Sequence, residues 1–227
     1  ESATGDTGDR RTYTLTAGEE KIDLSQKNLG SADVALLAAW LQRPEVNAVV
    51  EELNVSQNPI GVDGAKALAA VLPGSSLKCL VIGPKSTRLP VNDAEVTELN
   101  FEGQYFTATE VTLVAAAVST MAAVTSVNCL HNPLGEAVHI IIKVFEETPR
   151  LRTLCGFEEG VEQIDWSKSQ KGPVEVALLA ADLKAGRAIG ALNSVTVDST
   201  GDTKDGWGDW RNGGPKTYTL TAGEEHL

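Results

Sequence analysis

Internal repetition constrains this 227-residue chain more than any other feature. Three segments align without gaps: Ile22-Asp-Leu-Ser through Leu41, Leu99-Asn-Phe-Glu through Val118, and Ile164-Asp-Trp-Ser through Leu183. Each opens on an apolar-polar-apolar triplet, the period of two that marks a strand. Each then passes a turn and enters an Ala-, Leu- and Val-rich stretch with helical spacing. Val34, Leu37, Ala38 and Leu41 fall on one helix face, as do Val111, Val114, Ala115 and Val118. A unit this small cannot bury its apolar face alone, so successive layers must cover one another.

A second kind of unit follows the first. It is clearest in Leu53-Asn-Val-Ser-Gln-Asn-Pro-Ile-Gly61 with the helical run to Leu72, and it returns as Val127-Asn-Cys-Leu-His-Asn-Pro-Leu-Gly135 leading to Phe145. The spacing predicts that Leu53 and Val55 point inward from a strand and Asn54 outward. It also predicts that Asn58 satisfies backbone groups where the chain leaves the sheet, because buried backbone donors and acceptors need partners. Strand anchors at Leu53, Leu80, Leu99, Val127 and Leu154 lie 27, 19, 28 and 27 residues apart.

These residues resemble the leucine-rich-repeat family, in its ribonuclease-inhibitor-like subfamily, over roughly residues 20–200. The resemblance implies an α/β horseshoe or solenoid, with a mainly parallel concave sheet and convex helices. It implies one domain: a repeat array over about 12–200, a Gly/Asp/Trp loop at 199–215 and the start of a further repeat at 217–227. It also implies recognition of a protein partner through the concave face and rim. On that face are expected Asp23, Asn54, Asn100, Asn128, Asp165 and Thr196, with Glu52 and Glu98 beside them.

Three connections depart from the pattern. Leu80 is followed by Gly83-Pro-Lys-Ser-Thr-Arg-Leu-Pro90, Leu154 by Gly156-Phe-Glu-Glu-Gly160, and Tyr13-Thr-Leu-Thr16 reaches Ile22 through Ala17-Gly-Glu-Glu20. A parallel crossover needs about a dozen residues. Hairpin-like turns are the favoured reading here; the alternative places the second strand outside the main sheet.

Composition narrows function by exclusion. A net charge of −12 argues against nucleic acid, since phosphate binding needs a basic surface, and is compatible with a basic protein partner. No apolar run is long enough to span a bilayer. Cys79, Cys129 and Cys155, an odd and widely spaced set, read as small core hydrophobes and favour a reducing, cytoplasmic setting.

No catalytic, metal or cofactor role is expected. His131, His139 and His226 fit no metal-ligand or acid–base motif, and no cation or base accompanies Cys155. Asp198, Asp202, Asp205 and Asp209 do not match a calcium-loop spacing and read as a solvated loop. Trp207 and Trp210 in the same loop are either part of a binding surface or folded back over an uncovered layer.

The ends of the chain repeat each other. Thr12-Tyr-Thr-Leu-Thr-Ala-Gly-Glu-Glu20 recurs letter for letter at Thr217–Glu225, and Thr4-Gly-Asp-Thr7 echoes Thr200–Thr203. This repetition points to a piece of a longer tandem array, whose neighbouring repeats would associate head to tail as tiles of a scaffold.

Overall fold

The computed structural model describes residues 12–169, 171–201, 204, 205, 207 and 209–222. The chain divides into two compact units. The first comprises Glu1–Val96 and Gln104–Ala123, the second Thr97–Gly103 and Val124–Leu227.

In the first unit, β1 (Lys21–Asp23), β2 (Glu52–Asn54) and β3 (Cys79–Ile82) pair in parallel. Then β4 (Thr87–Pro90) pairs with β3 antiparallel, with Leu80 opposite Leu89. Helices α1 (Ser31–Leu41), α2 (Pro44–Asn47), α3 (Gly61–Ala69) and α4 (Ala108–Thr120) accompany the sheet. The 3.6-residue spacing puts Val34, Leu37, Ala38 and Leu41 of α1 in the core, as expected. Gly64 is the contact point of α1 with α3: a β-carbon there would lie 3.2 Å from Val34 Cβ and 3.3 Å from Ser31 Cα. Helix α4 buries more than one stripe, adding Leu113 and Ala117 to its expected apolar face.

In the second unit, β5 (Glu98–Asn100) and β6 (Ser126–Asn128) form a parallel pair. A separate sheet holds β7 (Gln163–Asp165) parallel to β8 (Ser194–Asp198), and β9 (Thr217–Thr221) antiparallel to β8. Helices α5 (Val138–Glu147) and α6 (Pro173–Ala185) pack together. No helix among the described residues is long and apolar enough to cross a membrane.

Among the described residues the strands therefore lie in three sheets of four, two and three strands, with antiparallel members in two of them. This overturns the leucine-rich-repeat, ribonuclease-inhibitor-like reading: the described residues form no single continuous parallel sheet, and the fold is a mixed α/β arrangement rather than a horseshoe or solenoid. The causes are local. After β3 the chain has four residues before β4, with Gly83 and Ser86 at φ +72° and +53°, so it can only reverse. The segment around Leu154 makes two isolated bridges to β6 and no strand. Its outward amides are instead taken by a side chain: Leu154 N–H donates to Asp182 Oδ1 (2.8 Å) and Cys155 N–H to Asp182 Oδ2 (3.2 Å). With those donors occupied, the ladder ends.

Of the three short connections, Leu80 to Leu89 is the hairpin expected. Between Leu154 and Ile164 the other reading holds, because β7 joins a different sheet. Residues 12–16 are in no strand. The Asn58 reading holds in detail: its Nδ2 donates to the carbonyls of Leu24, Val55 and Ser56, and its Oδ1 accepts from the amides of Lys27 and Leu29.

Candidate protein-binding surface

The residues expected on a recognition face turn out to share a local task. Each of Asp23, Asn54, Asn100, Asn128 and Asp165 ends a strand and accepts, through Oδ1, the amide two residues ahead, from Ser25, Ser56, Glu102, Leu130 and Ser167 at 2.8–3.0 Å. This is the side-chain-closed turn that Asp and Asn form readily. One residue further on, the backbone enters the left-handed region, at Gln26, Gln57, Gly103, His131 and Lys168. The hydrogen bond from Ser25 N–H is the largest influence holding the Asp23 carboxyl below the usual carboxylate range, and for Asp165 it is the Ser167 side chain, followed by the Ser167 amide. These side chains are thus strand terminators with one face to solvent.

Glu52 is also engaged. Its Oε2 accepts from Arg88 Nη2 at 2.9 Å and faces Lys21 Nζ at 3.7 Å. The Arg88 hydrogen bond pulls its carboxyl below the ordinary value. Asp23, Glu52 and Asn54 belong to the first unit. Asn100, Asn128, Asp165 and Thr196 belong to the second, where Thr196 Oγ1 meets Thr219 Oγ1 at 2.8 Å.

Glu98 is placed differently. It is exposed at the start of β5, on the wall of a groove of about 410 Å3 within the second unit. Ser126, Thr153, Phe157, Glu158 and Glu159 also line this groove. Arg152 reaches Glu159 and donates to the carbonyl of Arg187 at 2.8 Å, which anchors it. The groove is polar, carries three carboxylates against one guanidinium, and has an aromatic ring in its wall. Sequence reasoning missed Glu158, Glu159 and Arg152, having read Gly156–Gly160 only as a connection. The available signal was a pair of acids framed by two glycines next to a strand anchor.

The tryptophans separate. Trp207 is 91% exposed, whereas Trp210 is about half exposed and packs its ring against Gly214, with Lys204 Nζ 5.1 Å from its centroid. Trp210 lines a second cavity with Lys168, Lys171 and Lys204. Asp198 binds Lys168 N–H and Thr217 Oγ1, and Asp205 accepts the amides of Trp207 and Asp209. These acids hold the loop together. Asp202 and His226 lie outside the described residues.

His131 bridges two charged side chains: Nδ1 lies 2.7 Å from Glu102 Oε1 and Nε2 lies 2.8 Å from Lys171 Nζ. With the lysine donating to Nε2, the ring carries its proton on Nδ1 and donates to Glu102. Both ring nitrogens are engaged. His139 sits 3.8 Å from Glu136 on the exposed start of α5. Cys155 is buried, and burial, reinforced by the Asp182 charge, pushes its thiol well up, away from nucleophilic range. No group of three or more metal-ligating side chains comes together among the described residues.

No protein-family model matches this chain, and no curated protein matches it either.

Proposed function

We propose that this chain is a protein-recognition module rather than an enzyme, and that its docking surface is the acid-bearing groove of the second unit. The observation that carries the reading is the arrangement of Glu98, Glu158 and Glu159 around one groove, with a single guanidinium among them. A segment bearing Lys or Arg complements such a groove: its charge is attracted by the carboxylates, and its stem packs on Phe157. The net charge of −12 favours encounter with a basic partner. Asp23, Asn54, Asn100, Asn128 and Asp165 contribute by holding the strand ends and by presenting polar atoms at the surface.

The test is selection from a displayed random-peptide library, with a Glu98→Lys/Glu158→Lys variant as counter-selection. The expected outcome is enrichment of Lys- and Arg-bearing peptides that lose affinity at least about tenfold for the variant, as close charge pairs at an interface do. Equal binding to both proteins, or no enrichment, moves recognition away from this groove.

A further inference from the structure

One sequence takes two conformations in this chain. The nine letters Thr12–Glu20 and Thr217–Glu225 are identical. In the later copy, Thr217–Thr221 is β9, paired with β8 from Asp198 opposite Thr217 to Ser194 opposite Thr221. In the earlier copy the same five letters, residues 12–16, form no strand. Thr12, Thr14 and Thr16 are exposed there, and Tyr13 is tied by its hydroxyl to Asp33 at 3.0 Å. Every residue of β9 is itself exposed, so it is a lightly held edge strand.

The features that hold β9 are all present in the earlier copy. Leu220 lines a small apolar groove with Leu183, Leu192 and Val195, and Leu15 is its counterpart. The Thr219 hydroxyl bonds that of Thr196, and Thr14 is its counterpart. Ser199 N–H donates to Lys216 O and Ala222 N–H to Asn193 O. By the alternation of an antiparallel ladder, the amides of Tyr218 and Leu220 therefore face β8. Tyr13 and Leu15 are their counterparts.

We propose that β8 accepts residues 12–16 of a second copy of this chain in place of β9, so that copies join by strand exchange. Donor segment and acceptor edge are different parts of the molecule, so reciprocal exchange closes a pair, and one-way exchange builds larger rings or open chains. The tether from β8 gives β9 an effective concentration on the order of millimolar. At micromolar protein the intramolecular strand therefore wins, and exchange appears when β9 is weakened or when copies refold together at high concentration. This inference is independent of the acidic groove.

The experiment compares Leu220→Pro with Leu15→Pro/Leu220→Pro. Proline removes the amide that faces β8 and disfavours a strand at that position. Mass by light scattering should rise with concentration, in multiples of the single-copy mass, for Leu220→Pro. It should return to one copy for the double variant. Identical mass distributions for the two, whether both monomeric or both aggregated, overturn the proposal. A second measurement does not depend on proline. Thr14→Cys/Thr196→Cys, refolded at high concentration and mildly oxidised, should give a reducible ladder of linked copies. Thr16→Cys/Thr196→Cys, two residues out of register, should give at least severalfold less, since a disulfide needs its α-carbons within about 7 Å. No ladder, or equal ladders, also overturns the proposal.

Discussion

Asp182, fully buried near the end of α6, accepts the backbone amide of Leu154 at 2.8 Å, and that contact ends a sheet. Its second oxygen takes the Thr153 hydroxyl at 2.6 Å and the Cys155 amide at 3.2 Å. One carboxylate thus occupies the donors that a further strand would use. Replacing it with Ala should destabilise the chain by about 2–5 kcal/mol, because buried donors lose their acceptor. Urea denaturation measures this, and a loss within ordinary surface range would contradict the assignment.

The same carboxyl makes stability depend on pH in a defined direction. Burial raises its pKa in the folded state above the usual 3.8. Between those two values the folded chain binds more protons than the unfolded one, so this group's contribution is full below 3.8 and is lost as pH rises through the folded value. Asp182→Asn places no titrating group there. The stability of the wild type minus that of Asp182→Asn should therefore fall as pH is raised from below 3.8 towards neutrality. A flat or rising difference would show that the carboxyl is not held above its ordinary value.

Asn132, buried, donates through Nδ2 to the carbonyls of Phe101, Cys129 and Leu130. Asn132→Asp keeps the shape and replaces the donor with an acceptor facing three acceptors. It should cost about 2–4 kcal/mol at neutral pH, and less in acid, where the new carboxyl can donate a proton. Denaturation midpoints at two pH values test this.

Leu53 is fully buried at the centre of β2, flanked by Ile22 and Leu80 in register. Leu53→Ala should destabilise by about 2–5 kcal/mol as a core truncation. A change under about 0.5 kcal/mol, the range of ordinary surface substitutions, would contradict its place in the core.

Cys79, Cys129 and Cys155 are free thiols, and all are buried. Burial raises Cys129 to about 12. A thiol-specific chromogenic disulfide reagent should therefore react slowly with the native chain and titrate three thiols once the chain is unfolded. Fast reaction of any one in the native state would place it at the surface.

Much of the local structure was legible in the letters. The apolar spacing placed the helices that begin at Ser31, Gly61, Ala108 and Pro173 and the strands at Ile22, Leu53, Leu99, Val127 and Ile164. The Asn-Pro turn announced the role of Asn58, and Asn132 in the second such turn proves to do the same, because a carboxamide three residues beyond an inward strand position can reach several backbone groups at once. The candidate surface was less legible. Asp23, Asn54, Asn100, Asn128 and Asp165 showed the periodicity of a presented face, yet the same periodicity is required of residues that close turns. The groove acids come from segments that are distant in sequence, and no local pattern joins Glu98 to Glu158.

The sequence alone determined where the helices start, and the strands at Ile22, Leu53, Leu99, Val127 and Ile164, because periodicity and turn chemistry act over a few residues. Which strands pair, and in which direction, was decided by tertiary structure. Asp182 stands where the aligned helices carry Trp40 and Ala117, and only its burial against Leu154 turns one aspartate into the end of a sheet. Thr12–Thr16 and Thr217–Thr221 make the same point without any change of letter. Five identical residues are a strand where they pair with β8 and are none at residues 12–16, because a strand's backbone hydrogen bonds are made with a neighbour and not within itself.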